Sequence, residues 1–191
     1  GEIRYAQAGY IPRRTHGWSG LYPVQAATGP KWDGFYCGDG LPRMGANDGF
    51  IVSANEARLA DDGGVLSTLS QPEYRQQRIR SLLMERTDHG FDTMRSIQLD
   101  TYALQAERLL PRILKFLPSG ALRRALEGWN LRYDVGEHGA HAFEICYNAL
   151  RDALAPELGG AWYQEMLRGS ELSNWWTRGI DTLLDQEEAW M

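Results

Sequence analysis

GFIVSANEAR, Gly49 to Arg58, and one loop later SQPEYRQQRIRSLL, Ser70 to Leu83, hold the change of pattern on which the fold turns. Phe50 to Ala54 is an apolar run too brief for a helix, so it reads as a strand that ends at Asn55. Ser70 and Glu73 then have capping-box spacing, with Pro72 in the first turn, where its missing N–H does no harm. From there Ile79, Leu82 and Leu83 recur at helical intervals. Met94, Ile97, Thr101 and Leu104 continue the spacing in a second helix, which Pro111 should kink or end.

Outward from this stretch, the two ends differ. Twelve of the 21 glycines fall before residue 65, between short runs such as Ile3 to Ala8, and this predicts strands and ordered loops. Further helices are expected around Leu122 to Trp129, Gly139 to Ala155 and Asn174 to Gln186. The fold class is therefore α+β. A strand- and loop-rich front (residues 1–69, its strands before about 65) joins a helical back (70–191), with a change of layer near 65–72. No repeat or low-complexity tract occurs.

With 191 residues and 43% hydrophobic content, the chain is long enough for one domain with a real core. No long apolar run and no signal-peptide pattern is present, so no membrane partner is expected. Gly1 is not an initiator methionine, which makes a processed product or a piece of a longer precursor the expectation. The net charge of -5 is uneven: residues 72–132 carry eleven cations against seven anions, and 133–191 three against eleven. Basic and acidic helices facing each other, or facing another subunit, account for this better than a nucleic-acid surface does. Only two of the twenty cations are lysine, a bias that suits fixed, planar ion pairs. Cys37 and Cys146 lie far apart without CxxC spacing, so neither a zinc ribbon nor a redox motif is indicated, and one disulfide or none fits equally.

Three groups of residues could carry chemistry. Arg75 lies one turn before Ile79 on the stripe shared with Leu82, Leu83 and Arg86, so its guanidinium should face inward and need a partner. Asp100, between Ile97 and Leu104, should lie on the apolar face of the next helix, and a buried Arg75–Asp100 pair would satisfy both. Asn55 at a strand end is ordinarily a turn former, tolerant of left-handed angles. Its alternative use is a side-chain N–H aimed at a developing oxyanion, which needs a rigid mount. His138, His141 and Glu144 are spaced three apart and could present metal ligands, but the series drifts around a helix and no cysteine supports it. The seven tryptophans read as core and subunit contacts.

Six pieces, in order, resemble the penicillin acylase family of N-terminal-nucleophile hydrolases. GEIRYAQAGYIPRR is similar to the family's "G-x-I-x-Y…G…P-x-R" segment, and LYPV with KWDGF, Leu21 to Phe35, to its "L-P-V…W-x-G" stretch. GFIVSAN matches the run that ends in the oxyanion-hole asparagine. YRQQRIRSLL is similar to the family's "R-x-x-R-I…L-L" helix, IQLD to the helix after it, and Leu126 to Leu150 to its "L-x-x-W…F…Y…L" portion. The resemblance implies that Asn55 is the oxyanion donor and that Arg75 is the arginine near the nucleophile's amino group, with Arg78 the alternative in the RxxR repeat. Asp100 would support them from behind.

The implied protein is an amide hydrolase that cleaves the acyl amide of a small molecule such as a β-lactam or an acyl-homoserine lactone. Its fold would be a four-layered αββα sandwich, and this chain an interior piece of the catalytic chain. The family nucleophile is an N-terminal serine that acts with its own amine as base, and nothing here matches it. The chain alone is accordingly expected to be inactive. Its implied partners are the remainder of the catalytic chain and a smaller α subunit from the same precursor, and its implied location is periplasmic or secreted. No cofactor is implied for catalysis. The structural calcium of some members finds no ligand set here, because Asp61 and Asp62 do not align with the ligand position. The alternative is a non-catalytic helical interaction module, in which Arg75 and Asp100 only staple helices and Asn55 only caps a turn.

Overall fold

The computed structural model describes residues 2–15, 18–20, 23–46, 48–60, 62–68, 70–154, 156 and 179–184. They form two compact units that divide between Gln76 and Gln77.

The first unit is built from two small antiparallel sheets. Strand β1 (Arg4–Ala6) pairs with β4 (Arg43–Gly45), placing Tyr5 opposite Met44. Strand β2 (Ile11–Arg14) pairs with β3 (Trp32–Tyr36), and between Pro12 and Arg14 the register slips by one residue. The extra residue is on β3, where Gly34 takes φ +79, the left-handed angle that a bulge of this kind demands and that only glycine adopts without strain. Pro12 is tolerated because each strand of a two-stranded sheet has an unpaired edge. Leu41, Ala60 and Leu66 form a small core, against which Ile11 and Tyr36 pack. Nearby, the Asp62 carboxylate accepts the Gly64 N–H at 3.0 Å and the Tyr36 hydroxyl at 3.2 Å. That carboxylate closes a turn, and Asp61 lies outside the described residues.

The expected strand at Phe50 to Ala54 is not part of any ladder. Both backbone polar groups of Ala54 are taken by side chains, its N–H by Glu56 and its carbonyl by Arg75, so a strand neighbour has nothing to bond there. Helix α1 (Tyr74–Met84) begins four residues after Ser70, which leaves Pro72 ahead of the first turn rather than in it. Ile79, Leu82 and Leu83 are half-buried on one side of α1, but Arg75 is exposed, so Arg75 does not share that stripe and does not face inward.

The second unit is helical. Helix α2 (Phe91–Gln98) is followed by α3 (Leu104–Phe116), α4 (Ala121–Glu127) and α5 (His138–Leu154), and residues 179–184 are helical as well. The expected helix over Asn174 to Gln186 falls otherwise outside the described residues. On α5 the inward side is set by Ala140, Phe143 and Tyr147 at three-and-four spacing. These pack with Ala106 and Leu109 of α3, Leu126 of α4, Trp129 and Ile180 into one core. Leu109 and Leu126 are fully enclosed, and truncating either to alanine would cost roughly 2–5 kcal/mol. The buried Asp181 carboxylate is satisfied by the Tyr147 hydroxyl at 2.8 Å and the Gln105 amide at 3.0 Å. No helix among the described residues is long and apolar enough to cross a membrane.

Two expectations change here. The helical spacing from Met94 to Leu104 does not make one helix. Backbone bonds from Ala103 N to Leu131 O and from Tyr133 N to Thr101 O tie residues 101–103 to 131–133 instead. Asp100 therefore sits just after α2, on a connection rather than on an apolar helix face. Pro111 lies inside α3, which runs on to Phe116; the ring gives up one backbone bond while its fixed φ remains helical.

Candidate functional site

Asn55 occupies a bend with φ 65, one of only two non-glycine residues in the left-handed region among those described. For an L-residue that angle is strained, and asparagine bears it better than most. Three hydrogen bonds from three places hold it. The Gln71 N–H donates to the Asn55 carbonyl at 2.7 Å, within an isolated parallel bridge between Glu56 and Gln71. Arg75 Nη2 donates to the Ala54 carbonyl at 2.8 Å, and the Ala54 N–H donates to Glu56 Oε2 at 2.6 Å.

The same Arg75 Nη2 donates to Asn55 Oδ1 at 2.6 Å. A guanidinium has no acceptor, so the amide atom facing it must be the oxygen. The amide orientation is thereby fixed, and Nδ2 is turned away from Arg75 and donates to none of the described residues. Asn55 and Arg75 are both exposed, so the pair is open to a ligand rather than sealed in a core.

Sequence spacing gave Arg75 the wrong partner. Asp100 is held by Arg78, whose Nε and Nη2 donate to its two oxygens at 2.6 and 3.1 Å, and by Arg132 Nη1 at 3.2 Å. The Tyr102 ring lies 4.7 Å from the Arg78 guanidinium. The bonds from Arg78 outweigh burial and, with the Arg132 charge, hold the Asp100 carboxyl below its ordinary range. Arg78, the alternative for the Arg75 role, is thus committed to Asp100.

Two residues that sequence reading passed over complete the Asn55 turn. Glu56 lies beneath it with its side chain 13% exposed, and Arg58 Nη2 reaches Glu56 Oε1 at 3.0 Å. Arg58 also lies 4.5 Å over the Tyr5 ring and points Nη1 at Met44 Sδ. Burial pushes the Glu56 carboxyl up, but the Ala54 and Glu56 N–H groups and the Arg58 charge more than offset this and hold it below its ordinary range. The E-x-R spacing in NEAR, which puts both side chains on one side of an extended segment, was the available signal.

The remaining candidates do not converge. Glu144 Oε1 accepts the Tyr133 hydroxyl at 2.6 Å, and among the described residues no group of three His, Cys, Asp or Glu side chains could hold a metal ion. Cys37 and Cys146 are free thiols, the first exposed and the second partly buried.

Comparison with known proteins gives the family. Residues 1–191 match the family model described as penicillin amidase. The chain is 32% identical over 158 residues, 79% of its length, to the penicillin acylase 2 proenzyme of Pseudomonas sp. (strain SE83), and it spans 19% of that relative. With a match that runs from its first residue to its last and a relative related along most of it, this chain belongs to the penicillin amidase family.

Proposed function

We propose that this chain is an interior piece of the catalytic chain of an amide hydrolase, an acylase in which Asn55 supplies the side-chain donor of the oxyanion hole and Arg75 holds that donor in place. The observation that carries the reading is the contact between Arg75 Nη2 and Asn55 Oδ1, which leaves Nδ2 as an outward donor on a strained, clamped turn. A donor of this kind lowers a barrier by meeting charge that develops on the carbonyl oxygen of the substrate, and it helps most when no reorganisation is needed at that moment. The exposed, pre-set amide meets both conditions. Arg75 adds a fixed positive charge next to it.

In this reading the nucleophile lies in another part of the full-length protein, within the four-layered αββα sandwich of N-terminal-nucleophile hydrolases, and the chain has no turnover by itself. The remainder of the catalytic chain and a smaller subunit cut from the same precursor complete the site. The substrate is an acylated small molecule of the β-lactam or acyl-homoserine lactone kind. Asp100 contributes at a distance, by fixing Arg78 on the helix that also carries Arg75.

The test is Asn55→Ala in the full-length protein, assayed with a chromogenic acyl amide. Loss of one oxyanion donor should lower kcat about 100-fold or more with KM little changed. A loss confined to KM would show that Asn55 binds or folds rather than stabilises a transition state.

A further inference from the structure

We infer that Glu56 is a positioning residue, whose carboxylate holds the left-handed turn that aims the Asn55 amide. The inference rests on the reading of Asn55 as the oxyanion donor and adds to it the group on which that aim depends.

The turn is clamped from two sides. On one, Gln71 and Arg75 take hold of the Asn55 and Ala54 carbonyls. On the other, Glu56 Oε2 takes the Ala54 N–H at 2.6 Å while Oε1 takes Arg58 at 3.0 Å, so a single carboxylate spans the turn and its anchor. Arg58 passes the restraint to the β1–β4 sheet through the Tyr5 ring and Met44 Sδ, residues that are themselves paired across the two strands. Ala54 is buried, so without the carboxylate its N–H loses an acceptor where water does not readily replace it.

A bend at φ 65 relaxes toward ordinary angles when its restraints are removed, and relaxation there swings Asn55 bodily. Glu56 touches neither of the groups assigned to the reaction. Its effect travels through backbone geometry, and its loss should therefore lower turnover without weakening substrate binding.

In the full-length protein, Glu56→Ala should reduce kcat about ten- to a hundredfold with KM nearly constant, the scale expected when a catalytic group is displaced by about 1 Å. Glu56→Gln, which keeps an oxygen for the Ala54 N–H at the same reach but turns its NH2 toward the Arg58 guanidinium, should recover part of that loss. Hydrogen exchange of the peptide spanning residues 50–57, read by mass spectrometry, should speed up in Glu56→Ala and speed up less in Glu56→Gln. Full turnover in Glu56→Ala, unchanged exchange, or a loss that glutamine does not reduce each overturns the assignment, provided Asn55→Ala is itself impaired. If Asn55→Ala turns over normally while Glu56→Ala still exchanges faster, the turn is clamped as described but the premise about Asn55 is what has failed, and the positioning role falls with it.

Discussion

Replacing Arg75 with methionine asks how firmly the Asn55 amide is held. The substitution keeps most of the stem and removes the donor. Both acceptors, the Ala54 carbonyl at 2.8 Å and Asn55 Oδ1 at 2.6 Å, are served by the same nitrogen, so its removal leaves a bare carbonyl beside a free amide. A half-turn about the last side-chain bond would then let Nδ2 donate to Ala54 O and present Oδ1, an acceptor, to the oxyanion. A net hydrogen bond contributes about 1 kcal/mol, which favours the wrong orientation about fivefold and leaves about one molecule in six correctly aimed. Turnover should accordingly fall about sixfold, well short of the roughly 100-fold expected when the donor itself is deleted. Because one nitrogen makes both contacts, an ammonium could replace it, and Arg75→Lys should stay within about threefold of the parent. Both residues are exposed, so melting should move little, by under about 1 kcal/mol. The assay is steady-state kcat and KM on a chromogenic acyl amide with the full-length protein, including the double variant Asn55→Ala with Arg75→Met. If Arg75 acts through Asn55, the double variant should match Asn55→Ala alone. Losses that multiply would refute the reasoning and give Arg75 a role of its own.

Two further expectations concern the helical unit. Asp100→Asn removes the charge shared by Arg78 and Arg132 at a side chain only 9% exposed, and should cost about 1–3 kcal/mol in chemical denaturation near neutral pH. Since the folded Asp100 pKa is depressed, its contribution is full above the ordinary value of about 4 and fades as pH falls through the lower folded value, so the variant should lose that part of the acid dependence of stability. Gly139→Ala should destabilise α5 despite the better helix propensity of alanine: a Cβ there would overlap Cβ and Cγ of Trp129, which are rooted in the backbone, and about 1–3 kcal/mol of overpacking exceeds a gain of about 1. A melting temperature unchanged or raised in that variant would show that Trp129 can move aside.

How much of this was legible in the sequence depended on whether a signal was local. Helices α4 and α5 begin and end within two residues of their expected spans, because periodicity and flanking glycines act over a few positions. The helix expected through Asp100 was not legible. Spacing cannot show that residues 101–103 exchange backbone bonds with 131–133, thirty positions away. The same blindness paired Arg75 with Asp100: two ionic residues on neighbouring apolar stripes are a reasonable pair until a third, Arg78, proves closer. Family resemblance singled out Asn55 and Arg75 as candidates. Their direct contact was not legible, nor was the support from Glu56 and Arg58, for which the E-x-R spacing in NEAR was the one local signal.

The mount for the amide donor is also of a different kind from the one the sequence suggested. A strand end is rigid because a ladder of backbone bonds runs up to it, and Phe50 to Ala54 was expected to supply that ladder. Here the segment has none, and rigidity at Asn55 comes from side chains of Glu56 and Arg75 and from one backbone bond to Gln71. Such a mount can hold a conformation that a strand cannot, because side-chain acceptors and donors stabilise a left-handed residue that regular pairing would exclude. It also makes the aim of the amide depend on two individual ionic groups. In a ladder the loss of any one side chain leaves the backbone bonds in place; at Asn55, removing Arg75 frees the amide to turn and removing Glu56 frees the backbone beneath it. The two substitutions should therefore impair the same donor by different routes, rotation in one case and displacement in the other.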